Sequence, residues 1–184
     1  MRVTKTAIAT VLWVGFAVAQ VRASSTAPSA QEPKHLTLCQ LAEEPVAYNH
    51  TLVKVSGTAS QGFENFTFAD PSCKPKSDHF LVWLTYGGTM QSGTIYCCPG
   101  EGQKKKRKKL LEVEGISVPL LDDVRLKRFV ALLKQNPHTA RATLIGVFFA
   151  GTPQPPNNQP TLPGYGHMGC CSLLVIQQVE SVEP

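Results

Sequence analysis

The chain has 184 residues and a formal net charge of +5, a length that fits one domain with a sizeable core. Its first segment carries Arg2, Lys5 and Arg22 with no acid, so removing it takes three charges from +5 and leaves +2; Lys104–Lys109 supply six more, without which the remainder would stand at −4. A mildly acidic domain with one basic loop excludes nucleic-acid binding driven by global charge, and no later segment is long or apolar enough to span a bilayer.

Arg2 and Lys5 precede an apolar run from Ala7 to Ala19, and two small-residue exits follow. Ala17-Val18-Ala19 allows a cut before Gln20, and Val21-Arg22-Ala23 a cut before Ser24. Basic start, apolar middle and small-residue exit are the order of a cleavable signal peptide, here residues 1–23. The run is shorter than the roughly 20 residues a spanning helix needs. No cysteine lies near either cut, the first being Cys39, which argues against a lipoprotein. The expected destination is the periplasm or the extracellular space. Residues 24–35, with Ser, Ala and Pro, read as a flexible leader to a domain over 36–184.

Leu36 to about Ala47 reads as a short helix limited by Pro45. Leu52–Ala59 alternates as a half-buried strand with Gly57 inside it, where a bulge or bend is expected. Phe63–Ala69 follows a Gln61-Gly62 turn as the second strand of a hairpin, and Asp70-Pro71 ends it. Phe80–Tyr86 is a third strand. The stretch 87–119 reads as an irregular insertion holding Cys97-Cys98-Pro99-Gly100 and the lysine run. Leu120–Lys134 is the best helix, with Asp122 and Asp123 in its first turn and Asn136-Pro137 beyond its end. Ala142–Ala150 is a fourth strand with Gly146 as a second bend. A Pro-, Asn- and Gly-rich loop leads to the last strand, Cys171–Val182. Strand, strand, strand, helix, strand, strand is the order of an OB-like five-stranded barrel, preceded here by a short N-terminal helix. Closure needs bent strands, and Gly57 and Gly146 fall where bends would serve. The six cysteines, Cys39, Cys73, Cys97, Cys98, Cys170 and Cys171, read as disulfide partners in an exported chain. The simplest pairing joins Cys39 to Cys73 and the 97/98 pair to the 170/171 pair, since adjacent cysteines make a strained bond.

Leu38-Cys39-Gln40-Leu41, Leu52-Val53-Lys54-Val55-Ser56-Gly57, Asp70 with Cys73, and Gly164-Tyr165-Gly166-His167-Met168-Gly169 are short matches spread over the mature chain. In these it resembles a group of uncharacterised exported bacterial proteins with an OB-like core. The resemblance implies fold and export; it assigns no activity and adds nothing on ligand. The vicinal cysteines and the lysine run depart from that pattern.

Three constellations could carry chemistry. His167, Cys170 and Cys171, with Met168 beside them and Cys97 and Cys98 on another loop, offer imidazole, thiolate and thioether ligands for a soft metal. No CxxC or HxxxH spacing supports such a site, and a Gly-rich turn stapled by disulfides is the plainer reading. Lys104, Lys105, Lys106, Arg107, Lys108 and Lys109 form either a solvated loop or a contact for lipid headgroups, acidic polysaccharide or nucleic acid. Trp83 and Tyr86 lie in the strand region that OB folds use for stacking ligands, and Tyr165 sits in the Gly-rich turn. Trp83 faces opposite Val82 and Leu84, which makes it the better candidate for an exposed platform, although core burial is the plainer reading, while Phe66 and Phe68 read as core. Asn49-His50-Thr51 and Asn65-Phe66-Thr67 fit glycosylation acceptors, with Asn65 in a predicted strand. His50 reads as solvated surface. No nucleophile elbow, HExxH or phosphate-cradling loop appears. The expectation is an exported, monomeric, non-catalytic module for an oligosaccharide, polyanion or protein, calling for no cofactor. The alternative is a soft-metal or redox protein using His167 and the cysteine pairs.

Overall fold

A computed structural model describes residues 31–73, 81–91, 95–96, 106–151 and 164–184. Five strands form one closed barrel: β1 (Leu52–Gln61), β2 (Phe66–Ala69), β3 (Val82–Tyr86), β4 (Thr139–Phe149) and β5 (Ser172–Glu183). They run in the order β1-β2-β3-β5-β4, and β4 returns to pair with β1. β3 and β5 are parallel, and the other neighbours are antiparallel. A helix, α2 (Val124–Leu133), lies between β3 and β4, after a short α1 (Leu38–Glu43). This is the OB-like barrel expected from the element order.

Closure depends on two strands. Thr58, Ala59 and Ser60 of β1 are paired on both sides, to β2 and to β4, so the sheet coils round at that point. Along β4 the register with β5 shifts between Thr143 and Leu144 and between Ile145 and Gly146, and such irregularities bend a strand. A Cβ on Gly146 would lie 2.2 Å from the Val175 carbonyl oxygen, so only glycine lets β5 approach there. Gly57 differs from the expected bulge. It pairs regularly with Ala142, and its role is close approach to α1 and the end of β2.

Inside the barrel, side chains at alternate positions meet. Val53 and Val55 of β1, Phe66 and Phe68 of β2, Val82 and Leu84 of β3, and Leu174 and Ile176 of β5 are buried together, as a period of two requires. Leu126, Phe129 and Leu133 of α2 and Leu38 and Leu41 of α1 join this core. The helix starts later than the sequence pattern predicts. Asp123 is its N-cap, its Oδ1 accepting from the Arg125 and Leu126 amides, so Leu120–Asp122 stay outside. α1 is cut to six residues by a capping box from Thr37 to Gln40 at one end and Pro45 in the following 3-10 turn at the other. Cys39 of α1 is bonded to Cys73 after β2, Cα atoms 5.3 Å apart, the pairing expected. Lys34 and His35 pair in parallel with Val53 and Lys54, so part of the expected leader joins the sheet edge. Phe63 and Asn65 lie in the β1–β2 turn, not in a strand, and Phe63 is exposed. Among the described residues no helix is long and apolar enough to cross a membrane.

A second core covers the outer face of β3, β5 and β4. Trp83, Phe149, Leu173 and Val175 are buried under Val113, Val118 and Tyr165. Their cover comes partly from a hairpin, Glu112–Val113 with Ile116–Ser117, inside the insertion that the sequence pattern leaves irregular. Glu114 (φ 50) and Gly115 (φ 79) are its central residues, and positive φ at both is what a tight type I′ turn needs.

Candidate functional site

The candidate stacking platform is buried, in line with the plainer reading of Trp83 as core. Trp83 is 2% exposed, because the Gly164–Gly169 turn lies on its ring. Gly166 has φ 75, and a Cβ there would sit 2.6 Å from Trp83 Cε3. Trp83 Nε1 is buried with no partner among the described residues. Tyr86 is likewise no platform. Its ring lies inside the barrel with centroids 5.3 Å from Phe66 and 6.4 Å from Phe129, and burial pushes its phenol up. The chain has filled with its own loops the face on which other OB folds stack ligands.

Tyr165, the third aromatic candidate, is 6% exposed and acts in a latch. Its hydroxyl donates to Glu114 Oε1. The other oxygen, Oε2, lies 2.5 Å from His50 Nε2, whose N–H donates to it. Glu114 and His50 (φ 61) both hold left-handed backbone, which is uncommon outside glycine. The His50 amide donates to the Phe148 carbonyl at 2.8 Å, so β4, the hairpin and the Gly-rich turn are tied at one point. His50 is therefore engaged, although its side chain is half-exposed. Hydrogen bonds from Tyr165 and then His50 hold the Glu114 carboxyl below the usual carboxylate range. Burial first, and the Glu114 carboxylate second, push the Tyr165 phenol up. Glu114's depressed value means its contribution is present above its ordinary 4.5 and is lost as pH falls below it. Tyr165's raised value means its contribution is present below 10 and is lost as pH rises beyond it. Tyr165→Phe should therefore cost about 1 kcal/mol at pH 7. Urea midpoints should show that difference shrinking below pH 4.5; a constant difference down to pH 3 would rule out a role for the Glu114 charge.

The alternative metal set does not assemble as expected. Cys170 and Cys171 are bonded to each other, Cα atoms 3.7 Å apart, which corrects the expected bridge to the other vicinal pair. The Tyr165–Cys171 bridge and the His167–Gly169 3-10 turn fold this segment back on itself, with Cys170 exposed and Cys171 buried. Bonded sulfurs are not thiolate ligands, and His167 keeps no cysteine thiol beside it among the described residues. Among the described residues no group of three or more His, Cys, Asp or Glu side chains gathers to hold a metal. Cys97, Cys98, Lys104, Lys105 and the side chain of Met168 lie outside the described residues.

The basic run divides into two kinds of residue. Lys106, Lys108 and Lys109 are exposed. Arg107 turns inward: Nη1 donates to the Tyr86 carbonyl at 3.0 Å and to the Met90 carbonyl, and Nη2 lies 3.5 Å from Thr85 Oγ1. Its own amide donates to the Thr89 carbonyl at 2.7 Å. Burial of the guanidinium lowers its affinity for the proton. Arg107 thus clamps the loop onto the end of β3.

That clamp builds a groove. Between the loop and α2 lies a cavity of 470 Å³, within the range of about 300–1,000 Å³ usual for small-molecule sites. Met90, Leu110, Leu120, Leu126 and Val130 give it an apolar floor, and Lys106, Lys127 and Asp122 stand at its walls. No aromatic ring is among its described lining residues. A smaller polar cleft of 280 Å³ includes Ser56, Asp70, Arg141 and Thr143. There Ser56 bonds Thr143 and Asp70 bonds Ser72, so those groups already satisfy one another. Sequence reasoning missed Lys127 as a partner of the loop, because helix charges read only as solvated surface. A comparison with protein-family models, curated proteins and solved structures finds no match to this chain.

Proposed function

We propose that the chain is an exported, non-catalytic binding module whose OB-like barrel presents a basic loop and α2 to anionic ligands. One observation carries this reading: Lys106 of the loop and Lys127 of the helix line the same groove, joining the lysine run to a cavity. Charge supports it as well. The expected mature chain without the run would be net negative, so attraction to a polyanion has a local source. Export is supported by the signal-peptide order of residues 1–23 and by the Cys39–Cys73 bond, of a type that persists in oxidising compartments. The aromatic faces on which an oligosaccharide or nucleobase would stack are covered at Trp83 and Tyr86, which favours the anionic ligand over the neutral glycan.

The test replaces Lys104, Lys105, Lys106, Lys108 and Lys109 by serine and leaves Arg107 in place. Retention on a sulfated-polysaccharide resin should fall about tenfold or more at low salt, with a shallower salt dependence. Unchanged retention would end this proposal. The redox reading keeps one specific observation, the exposed Cys170 within a vicinal bond. Stepwise reduction of the native protein with thiol counting tests it: a pair released well before the Cys39–Cys73 bond would support it, and simultaneous release would not.

A further inference from the structure

We infer that the groove between α2 and the basic loop takes a dissolved single-chain anionic amphiphile, with the chain along the floor and the acid head between Lys106 and Lys127. This rests on the proposed anionic-ligand function and names the ligand class of the same site. A polyanion alone leaves the floor unexplained. Met90, Leu110, Leu120, Leu126 and Val130 offer no hydrogen-bonding side chain, and desolvating them is favourable only with an apolar partner. Leu110 is 52% exposed, so part of that surface faces water. Met90 adds a flexible thioether that can follow an alkyl chain.

The rim selects the head. Two lysines, Lys106 and Lys127, line the groove with one acid, Asp122, and Lys108 and Lys109 add positive charge nearby in the chain. A neutral alcohol would leave that charge unused, and a cation would meet it. The floor is also pre-formed. The Gly88 amide donates to Val118 at 2.7 Å, the Leu111 amide donates to Gly88 at 2.8 Å, and Arg107 holds Met90 from behind. A site already shaped loses less ordering entropy on binding. With no aromatic ring among the described lining residues, they offer no surface for sugar or base stacking.

The experiment titrates the full chain with dodecyl phosphate below its micelle concentration, by calorimetry. Inorganic polyphosphate supplies charge without a chain, and dodecyl maltoside a chain without charge. Saturable binding of dodecyl phosphate is expected, with dodecyl maltoside weaker by about tenfold or more. Leu110→Asn should weaken dodecyl phosphate about tenfold and leave polyphosphate within about twofold. Lys127→Glu, on the exposed helix face, should weaken both ligands. Polyphosphate binding without dodecyl phosphate binding would overturn the amphiphile and leave the anionic-ligand function standing. Loss of both in the native chain would overturn both. Undiminished dodecyl phosphate binding in Leu110→Asn and Lys127→Glu would show that the groove is not the site.

Discussion

Arg107→Ala is expected to cost about 2–3 kcal/mol of folding free energy, whereas Lys108→Ala or Lys109→Ala should stay within about 0.5 kcal/mol. All three belong to one basic run, and only their surroundings separate them. Lys108 and Lys109 are exposed, and their loss removes little but repulsion between like charges. The Arg107 guanidinium serves the carbonyls of Tyr86 and Met90. Truncating it leaves both short of a donor in a half-buried place, and an unmet carbonyl is costlier than the bond's net value. Lysine is no substitute. Its compact ammonium lacks the rigid plane that aims Nη1 at both carbonyls and the second nitrogen, Nη2, near Thr85 Oγ1, so Arg107→Lys should recover at most about half of the loss. Chemical denaturation followed by far-ultraviolet circular dichroism measures this. Equal midpoints for Arg107→Ala and Lys108→Ala would refute the clamp. Because Arg107 also fixes Met90, its alanine variant should loosen the groove floor while changing net charge as Lys108→Ala does.

Trp83→Ala should cost about 3–5 kcal/mol, the range for emptying a buried aromatic site. An exposed ligand platform would behave in the opposite way, losing binding and keeping stability. Trp83 supports both the Gly-rich turn through Gly166 and the second core through Leu173 and Val175. Trp83→Phe should cost far less, about 1 kcal/mol, because the smaller ring loses contacts while also removing an indole N–H that has no partner. Retention on anionic resin should be unchanged in folded Trp83→Phe. Loss of retention at full stability would return Trp83 to the ligand site. In a chain carrying Trp13→Phe, Trp83 is the sole remaining tryptophan, so its emission also reports whether the turn stays down.

Some of this was legible from residues alone. Alternation in Leu52–Ala59 and the order of elements are local, one-dimensional signals, and they determined the five strands, the helix between the third and fourth, and hence the OB-like barrel. The Cys39–Cys73 pair also followed from the chain. So did the bend at Gly146, since a glycine inside a strand pattern marks close backbone approach. The last strand carried a further signal: Leu173 and Val175 on one face and Leu174 and Ile176 on the other are all apolar and all buried. Apolar residues on both faces mean that both faces are covered, and that required a second layer outside the barrel.

What supplied the layer was decided only in three dimensions. Trp83 points away from the barrel interior as alternation predicts, yet outward is not exposed once the 112–117 hairpin and the Gly164–Gly169 turn settle on it. The Cys170–Cys171 bond depends on a turn whose closure no spacing rule specifies. His50, Glu114 and Tyr165 are 64 and 51 residues apart in the pairs that bond, beyond any local pattern. Within the described part of the lysine run, Arg107 is structural and Lys106, Lys108 and Lys109 are exposed, because the carbonyls of Tyr86 and Met90 lie within reach of the guanidinium. Sequence determined the barrel and the charge of the loop; tertiary contacts decided which aromatic faces were closed, that Arg107 is already engaged, and that Lys106 borders an apolar groove.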